Sequence, residues 1–246
     1  MHHFFVEPSM VNDNRITIKG TDVNHIKNVL RMKPGEEILI SDGTGKDYLC
    51  EIEGYTEECV EILIKEENFA RTELDTRFYL FQGLPKSEKM ELIIQKTVEL
   101  GVYEIIPVNM KRCIVKLDDK KKDSKIKRWQ AISESAAKQS KRGIIPKVQD
   151  VMSFNEAMKY AEDFDMVIMP YENHKGMKET KEILSEIKPG MKVGIFIGPE
   201  GGFDDGEVEK AIENGIKPIT LGKRILRTET AGLAILSILM FMCESD

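Results

Sequence analysis

Two glycine-containing loops near the C-terminus carry residue types that could bind a ligand and act on it. The first loop, residues 197–203, reads IGPEGGF, and the second loop, residues 221–230, reads LGKRILRTET. Glycines allow positive φ angles and close approach of the backbone to a ligand. In the second loop Arg224, Arg227 and Glu229 lie within six residues, which gathers cations and a carboxylate. Such a set suits an anionic ligand or developing charge, although an ordinary turn before a helix and a salt-bridged turn are simpler interpretations.

Each loop follows a short apolar run and precedes a helical pattern. The first loop is flanked by residues 193–197 and 204–214, and the second by residues 218–221 and 228–242. Strand, loop and helix in succession, twice, is typical of an open α/β sheet. Parallel strands bring their carboxyl ends to one edge, where such sheets bind ligands. We therefore expect both loops at that edge, with Thr228 as the N-cap of the last helix.

The rest of the chain indicates two domains. Residues 1–70 contain several short alternating strands with tight turns, which predicts a small β-barrel, and only residues 22–31 have helical spacing. From residue 77 strands and helices alternate, which predicts an α/β domain over residues 74–246. Its further strands are expected at 78–81, 103–108 and 165–169, and its further helices at 88–100, 125–141, 153–161 (opened by a capping box) and 178–187.

Composition is that of an ordinary globular protein. The 246 residues are 41% hydrophobic and 32% charged, with a net charge of −6. The four cysteines lack a metal-ligand spacing and the four histidines are scattered, so we expect no metal site, no disulfide framework and a reducing cytoplasm. We see no signal sequence, and the longest apolar run, residues 233–242, is far shorter than the roughly 20 residues of a membrane span.

Charge is distributed unevenly along the chain. Residues 111–147 contain 13 Lys or Arg against four acidic residues, a local balance of +9. A basic segment on an acidic chain is a candidate surface for phosphate contact, and a solvated helix face is an equally good interpretation.

Two familiar phosphate-binding patterns are not matched. Residues 43–46 (GTGK) resemble part of a phosphate loop, but Ile40 stands where glycine is needed and Asp47 where Ser or Thr is needed. No G-x-G-x-x-G follows a predicted strand, which disfavours a nicotinamide site. A nucleotide-dependent enzyme is therefore the weakest interpretation.

The two loops together resemble the signature of the bacterial 16S rRNA (uracil-N3) methyltransferase family, RsmE, in the SPOUT superfamily. Residues 1–6 (MHHFFV), 25–34 (HIKNVLRMKP), 95–102 (QKTVELGV) and 134–142 (ESAAKQSKR) resemble the family in the same order along the chain. One departure is that the family usually has an arginine near the start, where this chain has histidines at positions 2 and 3. A contact expected from that arginine would here be lost or depend on pH.

The resemblance implies a fold, a cofactor and an activity. The family's N-terminal domain is a PUA-like β-barrel that helps bind RNA, and its C-terminal SPOUT α/β domain contains a deep trefoil knot. Knot loops hold S-adenosyl-L-methionine, and two subunits pair across the cofactor sites. The resemblance thus implies a cytoplasmic homodimer, without a metal or membrane partner, that methylates N3 of a specific uridine in 16S rRNA of the small ribosomal subunit.

The resemblance also assigns site residues. Arg227 and Arg224 would face the uracil oxygens or a phosphate, and Glu200 and Glu229 are candidate bases or ion-pair partners of these arginines. The partner role is favoured for Glu229, which lies two residues from Arg227. The cofactor-binding residues implied are Met169, Tyr171, Glu172, Ile197, Gly198, Pro199, Glu200, Gly201, Gly202, Leu221, Gly222, Arg224, Ile225, Leu226 and Thr230.

Three arginines are candidates for contact with RNA, and two other functions are compatible with the same sequence features. Arg31, Arg112 and Arg142 are candidates for contact with the RNA backbone. Residues 1–70 are acidic, with 7 Lys or Arg against 14 Asp or Glu, which makes broad RNA contact there less expected. Another SPOUT-type enzyme, methylating a ribose 2′-OH or a different base, would share the loops. A non-catalytic RNA-binding or ribosome-assembly protein could keep the fold, and it would not bind the cofactor.

Overall fold

The computed structural model describes residues 1–69, 72–86, 88–115, 117, 119–173 and 176–244, without the side chains of residues 119–121. His174, one of the four scattered histidines, lies outside these residues. The chain divides into two compact units: Met1–Glu73 with Ala137–Ile145, and Leu74–Ala136 with Pro146–Asp246. Inclusion of residues 137–145 in the first unit was not expected from the sequence, which predicts a single division near residue 70.

The first unit contains a six-stranded sheet. Its strands are β1 (His2–Phe5), β2 (Val11–Asn12), β3 (Arg15–Lys19), β4 (Glu37–Ser41), β5 (Asp47–Tyr55) and β6 (Cys59–Glu67), in the sheet order β1-β4-β5-β6-β3-β2. β1 is parallel to β4, and every other neighbouring pair is antiparallel. Among the described residues β1 and β2 stand at the two edges, so the pairing gives an open sheet rather than a closed ladder.

The helix of the first unit differs from its prediction in type. Residues 22–31 were expected to be α-helical, whereas α1 (Thr21–Asn24) is followed by a π-helix at His25–Val29. The backbone N–H of Leu30 donates to the carbonyl of His25, five residues earlier, at 2.9 Å. The wider π turn shifts later residues around the axis, so Ile26 is fully buried whereas Val29 is 64% exposed.

The second unit contains a parallel sheet with the predicted alternation of strands and helices. Every described pairing in this sheet is parallel. The strands are β7 (Arg77–Gly83), β8 (Val102–Asn109), β9 (Lys147–Val148), β10 (Met152–Ser153), β11 (Met166–Pro170), β12 (Lys192–Ile197) and β13 (Lys217–Ile219), in the order β10-β8-β7-β12-β11-β13, with β9 also paired to β8. The helices are α2 (Lys89–Glu99), α3 (Asp119–Ser140), α4 (Phe154–Tyr160), α5 (Met177–Ser185), α6 (Asp205–Glu213) and α7 (Thr228–Cys243). The last turn of α3, from residue 137, belongs to the first unit.

The sheet register brings four strand ends together. Gln82 of β7 is paired with Ile197 of β12, and Pro170 of β11 is paired with Ile219 of β13. Since these strands are parallel and neighbouring, the segments that follow them lie along one edge of the sheet. The predicted positions of both loops at one sheet edge are confirmed.

Local sequence signals fix the helix starts that flank this edge and the sheet behind them. Ser153 and Asp204 each accept a hydrogen bond from the N3 backbone of the following helix, and the N3 glutamate returns one, so both are capping boxes. Phe81 of β7 and Phe196 of β12 stack at 4.3 Å between ring centroids, and both side chains are fully buried.

No helix within the described ranges is long and apolar enough to cross a membrane.

Candidate active site

A cavity of about 410 Å³ opens at the carboxyl-terminal edge of the parallel sheet in the second unit. Its walls come from the segments that follow β11, β12 and β13 and from the starts of α2 and α7. The volume falls in the range of about 300–1,000 Å³ that is usual for small-molecule sites. The lining residues are Lys89, Pro170, Tyr171, Glu172, Ile197, Gly198, Pro199, Glu200, Gly202, Phe203, Thr220, Leu221, Gly222, Lys223, Arg224, Ile225, Leu226, Arg227, Thr228 and Ala231.

Close backbone packing shapes the first loop. A methyl group at Gly83, the last residue of β7, would lie 2.7 Å from the backbone N of Pro199, so only glycine fits there. A methyl group at Gly198 would lie 3.2 Å from the backbone of Gly202. Gly202 itself has a φ of +68°, which side chains rarely adopt. The glycines of this loop therefore allow it to fold tightly against β7.

A buried hydrogen-bond chain ties the first loop to the start of α7. Gln82 Nε2 donates to Thr228 Oγ1 at 2.8 Å and to the carbonyl of Gly83 at 3.0 Å. The Thr228 hydroxyl donates to the carbonyl of Gly198 at 2.6 Å. The helix begins at Thr228, as the sequence predicts, but Arg227 occupies the cap position without a side-chain cap bond, so the predicted capping role of Thr228 is wrong. The threonine hydroxyl instead links the two loops.

Lys89 joins two carboxylates from different loops. Its Nζ lies 3.2 Å from Glu200 Oε1 and 3.2 Å from Glu229 Oε2. Hydrogen bonds to Glu229 and Glu200 raise the pKa of Lys89, so its ammonium stays charged. Burial acts to raise the pKa of Glu200, but the backbone N–H of Lys86, at 3.0 Å, and the Lys89 ammonium together lower it. Glu200 is therefore held as a carboxylate.

The two arginines of the second loop are exposed and line the cavity. In the described part of the chain, the guanidinium groups of Arg224 and Arg227 form no hydrogen bond or ion pair. The prediction that Glu229 pairs with Arg227 is wrong, because Glu229 lies against Lys89. Both guanidinium groups are thus available for a ligand.

Comparison with known proteins supports a methyltransferase family. A model described as RNA methyltransferase PUA domain matches residues 18–64, and one described as RNA methyltransferase domain matches residues 72–240. Ribosomal RNA small subunit methyltransferase E of Bacillus subtilis (strain 168) is 38% identical over 250 residues, 99% of this chain and 98% of that protein. The chain belongs to the ribosomal RNA small subunit methyltransferase E family.

Two further members show how far this likeness extends. The member from Mesomycoplasma hyopneumoniae (strain 232) is 33% identical over 96% of this chain and 98% of that protein. A crystal structure of the Neisseria gonorrhoeae member, bound to S-adenosyl methionine, superposes with a TM-score of 0.82 at 31% identity and covers 98% of both chains. Both units of the fold therefore lie within the similarity.

Most of the residues that the family resemblance assigned to the cofactor line the cavity; three do not. Met169 is buried within β11 and is 1% exposed. Gly201 packs on Arg112, whose Cβ would lie 3.2 Å from a methyl group at that glycine. Thr230 is exposed in the first turn of α7. The assigned residues that line the cavity are Tyr171, Glu172, Ile197, Gly198, Pro199, Glu200, Gly202, Leu221, Gly222, Arg224, Ile225 and Leu226.

Sequence reasoning missed the contribution of the segment after β7. Lys89 lines the cavity. Gln82, near the end of β7, donates to Thr228, whose hydroxyl donates to Gly198 of the first loop. Neither Lys89 nor Gln82 was assigned to the site from the sequence. A usable signal existed, because residues 78–81 were expected to form another parallel strand, whose carboxyl end must lie at the same edge. Other lining residues that the sequence analysis did not assign to the site are Pro170, Phe203, Thr220, Lys223, Thr228 and Ala231.

The three arginines proposed to contact RNA differ in their exposure to solvent. Arg142 is only 4% exposed and its Nε donates to Glu73 Oε1 at 3.0 Å, so its prediction as an RNA contact is wrong for this conformation. Arg112 Nη1 lies 3.4 Å from the carbonyl of Gly201, and this side chain is 41% exposed. Arg31 is exposed, with a φ of +55°. Only Arg31 and Arg112 are therefore open to solvent.

The histidines at the N-terminus differ in exposure. His3 Nε2 lies 2.8 Å from Ser41 Oγ, and burial lowers the pKa of His3, which favours its neutral form. His2 is exposed. The buried, neutral imidazole of His3 is unsuited to the phosphate contact expected from the family's arginine.

Proposed function

We propose that this protein transfers a methyl group from S-adenosylmethionine to N3 of a specific uridine in the 16S rRNA of the small ribosomal subunit. The observation that carries the proposal is the cavity bounded by both glycine-containing loops at one edge of a parallel sheet. It is supported by similarity over the whole chain to ribosomal RNA small subunit methyltransferases E.

The cavity residues suit S-adenosylmethionine. Ile197, Leu221 and Leu226 give an apolar wall for the adenosine, while Glu172 offers a negative charge to the amino group. Gly198 and Gly202 of the first loop line the cavity without side chains, which allows close approach of the backbone to a ligand there. When bound, S-adenosylmethionine supplies a methyl group on a positively charged sulfur, which makes that methyl electrophilic.

The chemistry required of the protein is charge stabilisation. Uracil N3 carries a proton at neutral pH and becomes a good nucleophile only as that proton leaves. We assign Arg224 and Arg227 to the uracil oxygens, where cationic donors favour the developing anion and lower the pKa of N3, so that the N3 proton passes to solvent water before methyl transfer. Glu200 is a poor candidate for the base, since its pKa is lowered and it is held by Lys89. Its role here is to hold the first loop.

The architecture of the family extends the proposal. We propose that residues 1–70 form a PUA-like, RNA-binding domain built on the open sheet described above and that residues 74–246 form a SPOUT domain with a deep trefoil knot. We also propose a cytoplasmic homodimer. Exposed apolar side chains on α2 and α7 offer a face for pairing: Leu92, Ile238, Phe241 and Met242 are between 43% and 83% exposed.

The test combines cofactor binding with product analysis. Wild-type protein should bind S-adenosylmethionine in a calorimetric titration and methylate small-subunit particles, with 3-methyluridine as the product. Arg227→Ala should lower turnover by roughly 10²–10³, as for loss of a transition-state donor, with little change in cofactor affinity. Lys217→Ala is the control, because Lys217 starts β13, at the end of that strand opposite the cavity, and pairs with Glu186 on the surface.

Other outcomes would point elsewhere. A methylated ribose or another base as the product would favour a different SPOUT-type reaction. No cofactor binding would favour a non-catalytic RNA-binding protein. If Arg227→Ala weakened cofactor binding strongly while turnover at saturating cofactor survived, the assignment of Arg227 would be wrong.

A further inference from the structure

Opposite charges crowd the cavity of the second unit. Arg224 and Arg227 line the same cavity as Glu200, and Glu229 follows Arg227 by two residues. Carboxylates so placed could pair with the guanidinium groups, which is the role that the sequence analysis favoured for Glu229 and left open for Glu200. They instead lie against an ammonium group from another element, α2.

The geometry of this three-residue bridge is specific. One Lys89 ammonium lies 3.2 Å from each of two carboxylates, one in the first loop and one at the start of α7. The side chains are half-buried, at 28% exposure for Lys89, 25% for Glu200 and 17% for Glu229. Partial burial strengthens such contacts relative to those of fully exposed pairs.

We propose that Lys89 is a positioning residue whose ammonium holds Glu200 and Glu229 against α2 and so leaves Arg224 and Arg227 free for the RNA substrate. The inference rests on the proposed function for the identity of that substrate. Lys89 acts here through the two carboxylates, without touching the reacting atoms.

Loss of the bridge has a defined consequence. Replacing Lys89 by methionine keeps a chain of similar length and removes the ammonium, which leaves Glu200 without its cation in a cavity that both arginines line, and Glu229 two residues from Arg227. The carboxylates then pair with the guanidinium groups, and the arginines are no longer available to RNA. Removing the carboxylates as well should free the arginines again, even though the lysine is still missing.

The experiment measures RNA affinity, KM for RNA, turnover and cofactor affinity of the full chain. Lys89→Met should raise KM and the dissociation constant for small-subunit rRNA by about tenfold or more, with cofactor affinity within about threefold of wild type. The triple variant Lys89→Met, Glu200→Gln, Glu229→Gln should recover RNA affinity to within about threefold. Lys89→Arg, which keeps the positive charge, should resemble wild type.

Lys86→Met is the matched control for charge. Lys86 is exposed, lies three residues earlier, and contacts Glu200 through its backbone N–H, which the substitution keeps. Equal losses of RNA affinity in Lys86→Met and Lys89→Met would mean that only the net positive charge of this region matters. That result would overturn the proposal. A triple variant as weak as Lys89→Met would also overturn it, in favour of direct RNA contact or a structural role for Lys89.

These outcomes are distinct from failure of the proposed function. Direct RNA binding by filter retention requires neither cofactor nor turnover. If wild-type protein binds RNA but yields no 3-methyluridine, the proposed reaction fails, while the comparison of RNA affinities still decides the role of Lys89. If wild-type protein binds no small-subunit RNA, both proposals fail.

Discussion

At the scale of single residues, the structure changes the role expected of Glu200. A carboxylate that accepts hydrogen bonds from a backbone N–H and an ammonium is held in its charged form, and its pKa is lowered despite burial. A general base works best with a pKa near the working pH, and its loss costs about 10²–10⁴ in rate. The structure therefore favours a supporting role for Glu200.

Glu200→Gln provides a quantitative test of this role. We expect turnover to fall by less than about tenfold, because the amide oxygen can still accept from Lys86 and Lys89. The pH–rate profile between pH 6 and 8 should keep its shape. A loss of a hundredfold or more, with disappearance of an ionisation from the profile, would restore Glu200 as the base.

The same pKa shift predicts how stability depends on pH. The folded-state pKa of Glu200 is lowered, so its stabilising contribution is present above the unfolded pKa, about 4.3, and is lost as pH falls through the folded value. Thermal unfolding of wild type and Glu200→Gln should therefore differ at pH 7 and converge at low pH. A constant difference across this range would contradict the shift.

The Thr228 hydroxyl is a second residue with a specific task. Thr228→Val keeps the shape of the side chain but removes the donor to Gly198 and the acceptor for Gln82. We expect a loss of about 1–3 kcal/mol in the free energy of unfolding, because buried polar groups are left unpaired, and weaker cofactor binding. Both are measurable by chemical unfolding and calorimetry.

Thr230→Val is the matched control for Thr228→Val. Thr230 is exposed one half-turn further along α7 and lies outside the cavity lining. Its substitution should change stability and cofactor affinity little. A large loss of cofactor affinity in Thr230→Val, with none in Thr228→Val, would reinstate the residue that the family resemblance implied.

At the scale of elements, the approach of β7 to the first loop is the critical packing. Gly83→Ala places a methyl group 2.7 Å from the backbone N of Pro199, and backbone must move to accept it. We expect a loss of about 1–3 kcal/mol in stability, as for other overpacked sites, and a marked loss of cofactor affinity. Gly54→Ala is the control, because a methyl group there meets nothing within 4 Å. Equal effects of the two substitutions would contradict this account.

Much of this element-level arrangement could be predicted from the sequence because its signals are local. The alternation of buried Ile16 and Ile18 with exposed neighbours in β3 and the capping box at Ser153 depend only on nearby residues. The π-helix at His25–Val29 could not be predicted from the sequence, because the spacing of apolar residues does not distinguish an α-turn from a π-turn. The ion pairs of Lys89 could not be predicted either, since Glu200 and Glu229 lie far along the chain and meet Lys89 only in the folded domain.

At the scale of the whole molecule, residues 137–145 show how one buried ion pair determines the unit to which a segment belongs. This stretch follows most of α3 in the chain but belongs to the first unit, where Arg142 is buried. Glu73 accepts from the Arg142 guanidinium and from the backbone N–H of Gly143, at 2.8 Å. A carboxylate 69 residues earlier in the chain thus fixes this stretch in the first unit and holds Arg142 away from solvent, which its sequence neighbours do not indicate.

Arg142→Ala distinguishes a structural arginine from an RNA contact. Removing one partner of a buried pair costs about 3–5 kcal/mol, so the first unit should unfold at a lower temperature in calorimetry. At a temperature where the variant is folded, the slope of log RNA affinity against log salt should equal that of wild type. Loss of a phosphate contact would instead reduce the slope by about one. Arg112→Ala, which removes an exposed arginine, should show that reduced slope, and the opposite pattern in the two variants would return Arg142 to the RNA surface.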